Sequence, residues 1–76
     1  MTEKLFAAID LGGTKIYTVI ADSEMKILSR IQLLTPARED TRTLLSSLAG
    51  SVHAALERAG AGRHSLAACG ICVAGF

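Results

Sequence analysis

The chain has 76 residues, 50% of them hydrophobic and 20% charged, with Lys and Arg totalling 8 against 7 for Asp and Glu. That length holds one small domain or part of a larger one, which excludes an active site between two complete domains of this chain. The apolar content excludes a disordered tail, while a net charge of +1, 4% aromatics and no Trp argue against nucleic acid as a partner.

Met1-Thr2-Glu3-Lys4 leads into an apolar run that stops at Asp10, too short and wrongly flanked for a signal peptide. No run approaches the roughly 18 apolar residues of a membrane span. Together with two reduced thiols, this predicts a cytoplasmic protein with no membrane partner.

Leu5–Ile9 is apolar on both faces and predicts an interior strand. Gly12-Gly13 marks a turn, and the β-branched Lys15–Ala21 predicts a second strand, antiparallel to the first across so short a link. Asp22-Ser23-Glu24-Met25 is a second turn. Ile27–Leu33 predicts a third strand, with Ile27, Ile31 and Leu33 on one face and Arg30 and Gln32 on a wet one. Pro36 ends it, having no backbone donor.

A helix is predicted near Thr41–Ala59. Leu44, Leu45, Leu48, Val52, Ala55, Leu56 and Ala59 fall on one side, and Ser46, Ser47, His53, Glu57 and Arg58 largely on the other. Asp40 or Thr41 suits its N-cap, and Gly60 and Gly62 suit its stop. Leu66–Ala74 predicts a fourth strand, brought back parallel to the first by the helical crossover. The expected fold is α/β, a mixed sheet of order 3-2-1-4 with one crossover helix. The outer edge of its fourth strand is unpaired and suited to recruiting other chains. A domain this small buries only about 60% of its unfolded surface. The apolar excess is therefore read as surface that further chain covers.

Asp10-Leu11-Gly12-Gly13-Thr14-Lys15 is the segment that carries chemistry. Two glycines permit positive φ and put no Cβ in the way, so the turn can offer backbone N–H groups to an anion. Thr14 adds a hydroxyl donor and Lys15 a positive charge. Asp10 ends the strand with a carboxylate suited to Mg²⁺, directly or through water. A Gly-Gly pair alone would be an ordinary hairpin turn. The whole string, between two β segments and ahead of a helical crossover, points instead to a nucleotide phosphate.

Ala8-Ile9-Asp10-Leu11-Gly12-Gly13-Thr14-Lys15-Ile16 resembles the first phosphate motif of the ROK family (repressors, open reading frames and sugar kinases). That family belongs to the actin, hexokinase and Hsp70 superfamily of ATP-binding, ribonuclease H-like folds. Ile27-Leu28 with Thr35-Pro36 is similar to its third strand and frequent Thr-Pro, and Gly70-Ile71-Cys72-Val73-Ala74-Gly75 to its fourth. The resemblance spans essentially the whole chain but only the opening part of a family member. Residues 1–76 are thus expected to be the N-terminal part of an actin-like ATPase domain.

The resemblance implies a cytoplasmic sugar kinase, glucokinase-like, that uses ATP and Mg²⁺ and acts as a homodimer. Asp10, Gly12, Gly13, Thr14 and Lys15 would bind the cofactor, with Asp10 also facing the metal. The catalytic Asp, a zinc-binding Cys-rich motif and the second phosphate motif belong to later sequence, so this chain supplies no catalytic base and is expected to be inactive alone. Ala74 and Phe76 stand where the family usually has proline. An Ala-Gly ending is also similar to BadF-type ATPases and N-acetylglucosamine kinases. A non-catalytic interaction module is the third reading. The repressor branch places a helix-turn-helix ahead of the motif, and only nine residues precede Asp10 here.

The remaining polar residues read as structural. Cys69 and Cys72, three apart on a strand, face opposite sides, so they share no metal or disulfide and are expected to be buried, inert thiols. His53 and His64 lack partners at ligand spacing. Tyr17 is expected to pack in the sheet, and the charged 38–42 segment to be a solvated helix entry. Gly75, at the carboxyl end of a parallel strand, is a candidate sugar contact.

Overall fold

The computed structural model describes residues 4–35 and 41–73. The elements run β1 (Leu5–Leu11), β2 (Lys15–Ala21), β3 (Ile27–Leu34), α1 (Thr41–Arg58), a 3-10 turn (Arg63–Ser65) and β4 (Leu66–Val73). The strands form one sheet of order β3-β2-β1-β4. β1 is antiparallel to β2, β2 antiparallel to β3, and β4 parallel to β1. The predicted order, pairing and directions are all present. Asp40, the proposed N-cap, lies outside the described residues, and Thr41 is already helical.

α1 covers one face of the sheet. Leu5, Ala7 and Ile9 of β1 and Ile16 and Ile20 of β2 are buried against Leu48, Ala55 and Leu56. Each leucine or isoleucine among them contributes about 1.5–3 kcal/mol on burial, and each alanine less. Leu45, placed in the helical stripe from its spacing, is instead 58% exposed, because the buried arc centres on Leu48, Val52 and Ala55 and leaves it on the flank.

Hydrogen bonds between hydroxyls and carbonyls pin the helix to the sheet. The Ser51 hydroxyl, 1% exposed, donates to the Leu48 carbonyl at 2.7 Å. Its single proton thus engaged, it accepts from the Thr18 hydroxyl at 2.8 Å. On β3, the Ser29 hydroxyl donates to the Ala55 carbonyl at 2.6 Å. No buried polar side-chain atom among the described residues lacks a partner. The helix stops as predicted at Gly60, whose φ of 75° suits a residue without a Cβ. Ala61 N–H donates to Leu56 C=O and Gly60 N–H to Glu57 C=O, the paired bonds of a Schellman stop. Gly62 instead precedes the 3-10 turn, at a φ of −95°.

Three expectations are corrected. Ile27 does not share the inner face with Ile31. Leu28 is an extra residue between the Ala21↔Ile27 and Ile20↔Ser29 pairs, and this bulge interrupts the alternation. The inner position there belongs to Ser29. β1 is central in the sheet, but only one of its faces is covered, since Phe6 and Ala8 are exposed. Cys69 and Cys72 are free, as expected, but exposed rather than buried. α1 packs over β2 and β3, so β4 is exposed beyond Leu66, which packs against the edge of the core.

Candidate functional site

Alternation along β1 decides where Asp10 goes. Leu5, Ala7 and Ile9 take the face under α1, which puts Phe6, Ala8 and Asp10 on the open face. The strand continues through Leu11, so Asp10 lies inside it rather than ending it, with Tyr17 of β2 and Cys72 of β4 as neighbours in register. Lys15 and Tyr17 occupy the same open face of β2, and Tyr17 is 43% exposed rather than packed away. Lys15 is therefore a diagonal neighbour of Asp10. Among the described residues neither side chain is engaged by another protein group.

The turn closes through the Gly12 N–H, which donates to the Lys15 carbonyl at 2.9 Å. Gly13, Thr14 and Lys15 are exposed around it. Positive φ is not why glycines stand here, because Gly60 alone among the described glycines has it. Space is the constraint at Gly12 alone. A Cβ on Gly12 would come within 3.1 Å of the Lys15 carbonyl oxygen, and the position of a Cβ on Gly13 has nothing within 4 Å. Gly13 therefore leaves an open cradle at the tip of the turn.

Thr35, at the end of β3, was absent from the residues assigned to the site by sequence. Its N–H donates to the Thr14 carbonyl at 2.8 Å, and its hydroxyl donates to the Gly12 carbonyl at 2.9 Å. The Thr-Pro dipeptide was its only signal, and nothing local to it names Gly12 as partner.

Together these residues form a shallow ledge, and no enclosed pocket lies among the described residues. Exposed backbone at Gly13, the Thr14 hydroxyl and the Lys15 ammonium suit phosphate oxygens. The unengaged Asp10 carboxylate is a hard oxygen ligand suited to Mg²⁺. Among the described residues no group of three His, Cys, Asp or Glu could hold a metal unaided. A cation beside Asp10 would take its other ligands from phosphate and water. The residues present thus fit Mg-ATP. His53 and His64 are exposed and belong to no such group. Gly75 and residues 38–40 lie outside the described residues. No helix among the described residues is long and apolar enough to cross a membrane.

The model of the ROK family matches residues 6–76. A ROK family glucokinase from Streptomyces griseus, solved in complex with glucose and AMPPNP, superposes with a TM-score of 0.73 at 30% identity over 97% of this chain. The chain spans 21% of the length of that glucokinase. The mixed sheet with its crossover helix is thus the N-terminal part of an actin-like kinase fold. No curated protein sequence matches the chain.

Proposed function

This chain belongs to the ROK family, and from that membership we propose that the intact protein is an ATP-dependent sugar kinase. It transfers a phosphoryl group from Mg-ATP to a hydroxyl of a hexose or amino sugar. The observation that carries this reading is the open Gly12–Lys15 turn beside an unengaged Asp10. Binding of glucose and AMPPNP by the Streptomyces griseus relative supports both ligand classes.

Phosphoryl transfer depends mainly on positioning and on stabilising charge. When bound, ATP supplies the phosphoryl group and Mg²⁺ the neutralising charge. Gly13 gives phosphate oxygens room to approach the backbone. Thr14 donates its hydroxyl, and Lys15 places a positive charge on the same face. Asp10 holds the cation or its water shell and so fixes the phosphates relative to the sheet. The residue that takes the proton from the sugar hydroxyl belongs to later sequence, as does any zinc site. Gly75 is proposed to approach the sugar, and the intact enzyme to be a cytoplasmic homodimer.

The test uses the full-length protein, titrated with AMPPNP by calorimetry and assayed for ADP release with a panel of hexoses. AMPPNP binding with sugar-dependent ADP release is the expected outcome. ADP release independent of sugar would indicate an ATPase acting on another partner. No nucleotide binding would leave a non-catalytic module.

A further inference from the structure

Thr35 is held by the fold at an unusual place: one residue at the end of β3 bonds to two carbonyls of the phosphate turn, those of Gly12 and Thr14. The backbone bond extends the β2–β3 ladder one step beyond the Lys15↔Leu34 pair. The hydroxyl bond does something a ladder does not, reaching past the start of β2 to a carbonyl 23 residues away in sequence.

Orientation follows from peptide geometry. A trans peptide carries its C=O and N–H in opposite directions, and no cis peptide is present among the described residues. With the Gly12 carbonyl drawn to Thr35, the N–H on the other side of that plane, which is Gly13's, is turned away from Thr35. Gly13 is exposed there, with open space at its Cβ position. This is also the peptide most free to turn over, because it lies between two residues lacking a Cβ. An external hydrogen bond is therefore needed to hold it one way up. Thr35 is suited to give it: half-buried, and followed by Pro36, which keeps the preceding residue extended.

We propose that Thr35 is a positioning residue of the nucleotide site, whose hydroxyl fixes the Gly12–Gly13 peptide so that the Gly13 N–H faces the phosphates. The inference rests on the kinase reading. It adds a residue that touches neither nucleotide nor sugar.

The experiment compares Thr35→Val and Thr35→Ser in the full-length enzyme. Valine keeps the shape and the backbone N–H but removes the hydroxyl, and serine restores it. Thr35→Val is expected to weaken AMPPNP binding and raise the KM for ATP about fivefold, as loss of one net hydrogen bond would. The KM for sugar stays unchanged, and Thr35→Ser binds like wild type. Without nucleotide, hydrogen-exchange mass spectrometry should show faster exchange in the peptide containing Gly12 for the valine variant only. Wild-type nucleotide affinity in Thr35→Val overturns the proposal, as does an equal loss in Thr35→Ser or unchanged exchange at the turn. A wild-type enzyme that fails to bind AMPPNP overturns the kinase reading itself, and the positioning role with it.

Discussion

In the turn from β2 to β3, one Asp22 carboxylate oxygen accepts from the backbone N–H groups of Glu24 and Lys26, both at 2.9 Å. Backbone bonds from Met25 N–H to Asp22 C=O and from Asp22 N–H to Lys26 C=O close the same loop at 3.0 Å. In the turn from β1 to β2, Asp10 holds no backbone group, Gly13 is open, and the clamp comes from outside the turn, on Thr35. Both turns follow an apolar run that ends in an aspartate. The difference shows how a carboxylate becomes available for ligand chemistry. Asp22 satisfies donors of its own loop and so serves stability. Asp10 stands on an open strand face and accepts no hydrogen bond from the described residues, and so retains its capacity for a cation.

The sharpest way to break this contrast is Asp10→Asn in the intact enzyme. We expect kcat to fall by about 10²-fold or more, as for loss of a group that stabilises developing charge. The melting temperature should stay at the wild-type value, since Asp10 supports no local structure. A variant with near wild-type kcat would remove Asp10 from the site.

Gly13→Val tests space against strain. The backbone at Gly13 is not left-handed, so the variant should fold normally. Calorimetry should still show AMPPNP affinity reduced about tenfold or more, equivalent to ~1.4 kcal/mol, because a branched side chain would fill the cradle. Unchanged affinity would mean that phosphate does not approach this peptide.

Asp22→Ala should do the reverse of Asp10→Asn. Loss of its two backbone contacts is expected to lower stability by about 0.5–2 kcal/mol, as for a helix-cap carboxylate, with kcat unchanged. Urea denaturation beside steady-state kinetics checks both halves. The smallest effect is expected at Met25, which is 79% exposed at a φ of 67°. Met25→Gly relieves a left-handed strain of about 1–2 kcal/mol but adds unfolded-chain entropy. A net gain of about 0.5 kcal/mol in the same denaturation experiment is expected from these opposed terms. A loss would show that the Met25 side chain packs to some benefit.

Element types and order were legible because they rest on local periodicity and punctuation. The β-branched content of Lys15–Ala21, the apolar stripe from Leu44 to Ala59 and the stops at Gly12-Gly13 and Gly60 act within a few residues of the chain. The parallel return of β4 was legible for the same reason, since a helix-length crossover leaves little other way back to β1. The expectation of positive φ at Gly12 and Gly13 was not met, because the left-handed glycine among the described residues is Gly60, and the crowding at Gly12 comes from the Lys15 carbonyl across the turn.

Tertiary structure alone decided which polar groups are structural and which are free. Thr18 and Ser51 meet across 33 residues, Ser29 and Ala55 across 26, and Thr35 and Gly12 across 23. No pattern inside either segment announces such a partner, because the pairing depends on which strand lies under which turn of the helix. The exposure of Cys69 and Cys72 has the same origin. An apolar run encodes a strand with two faces to cover, but whether anything covers them depends on where α1 comes to rest, and it rests over β2 and β3.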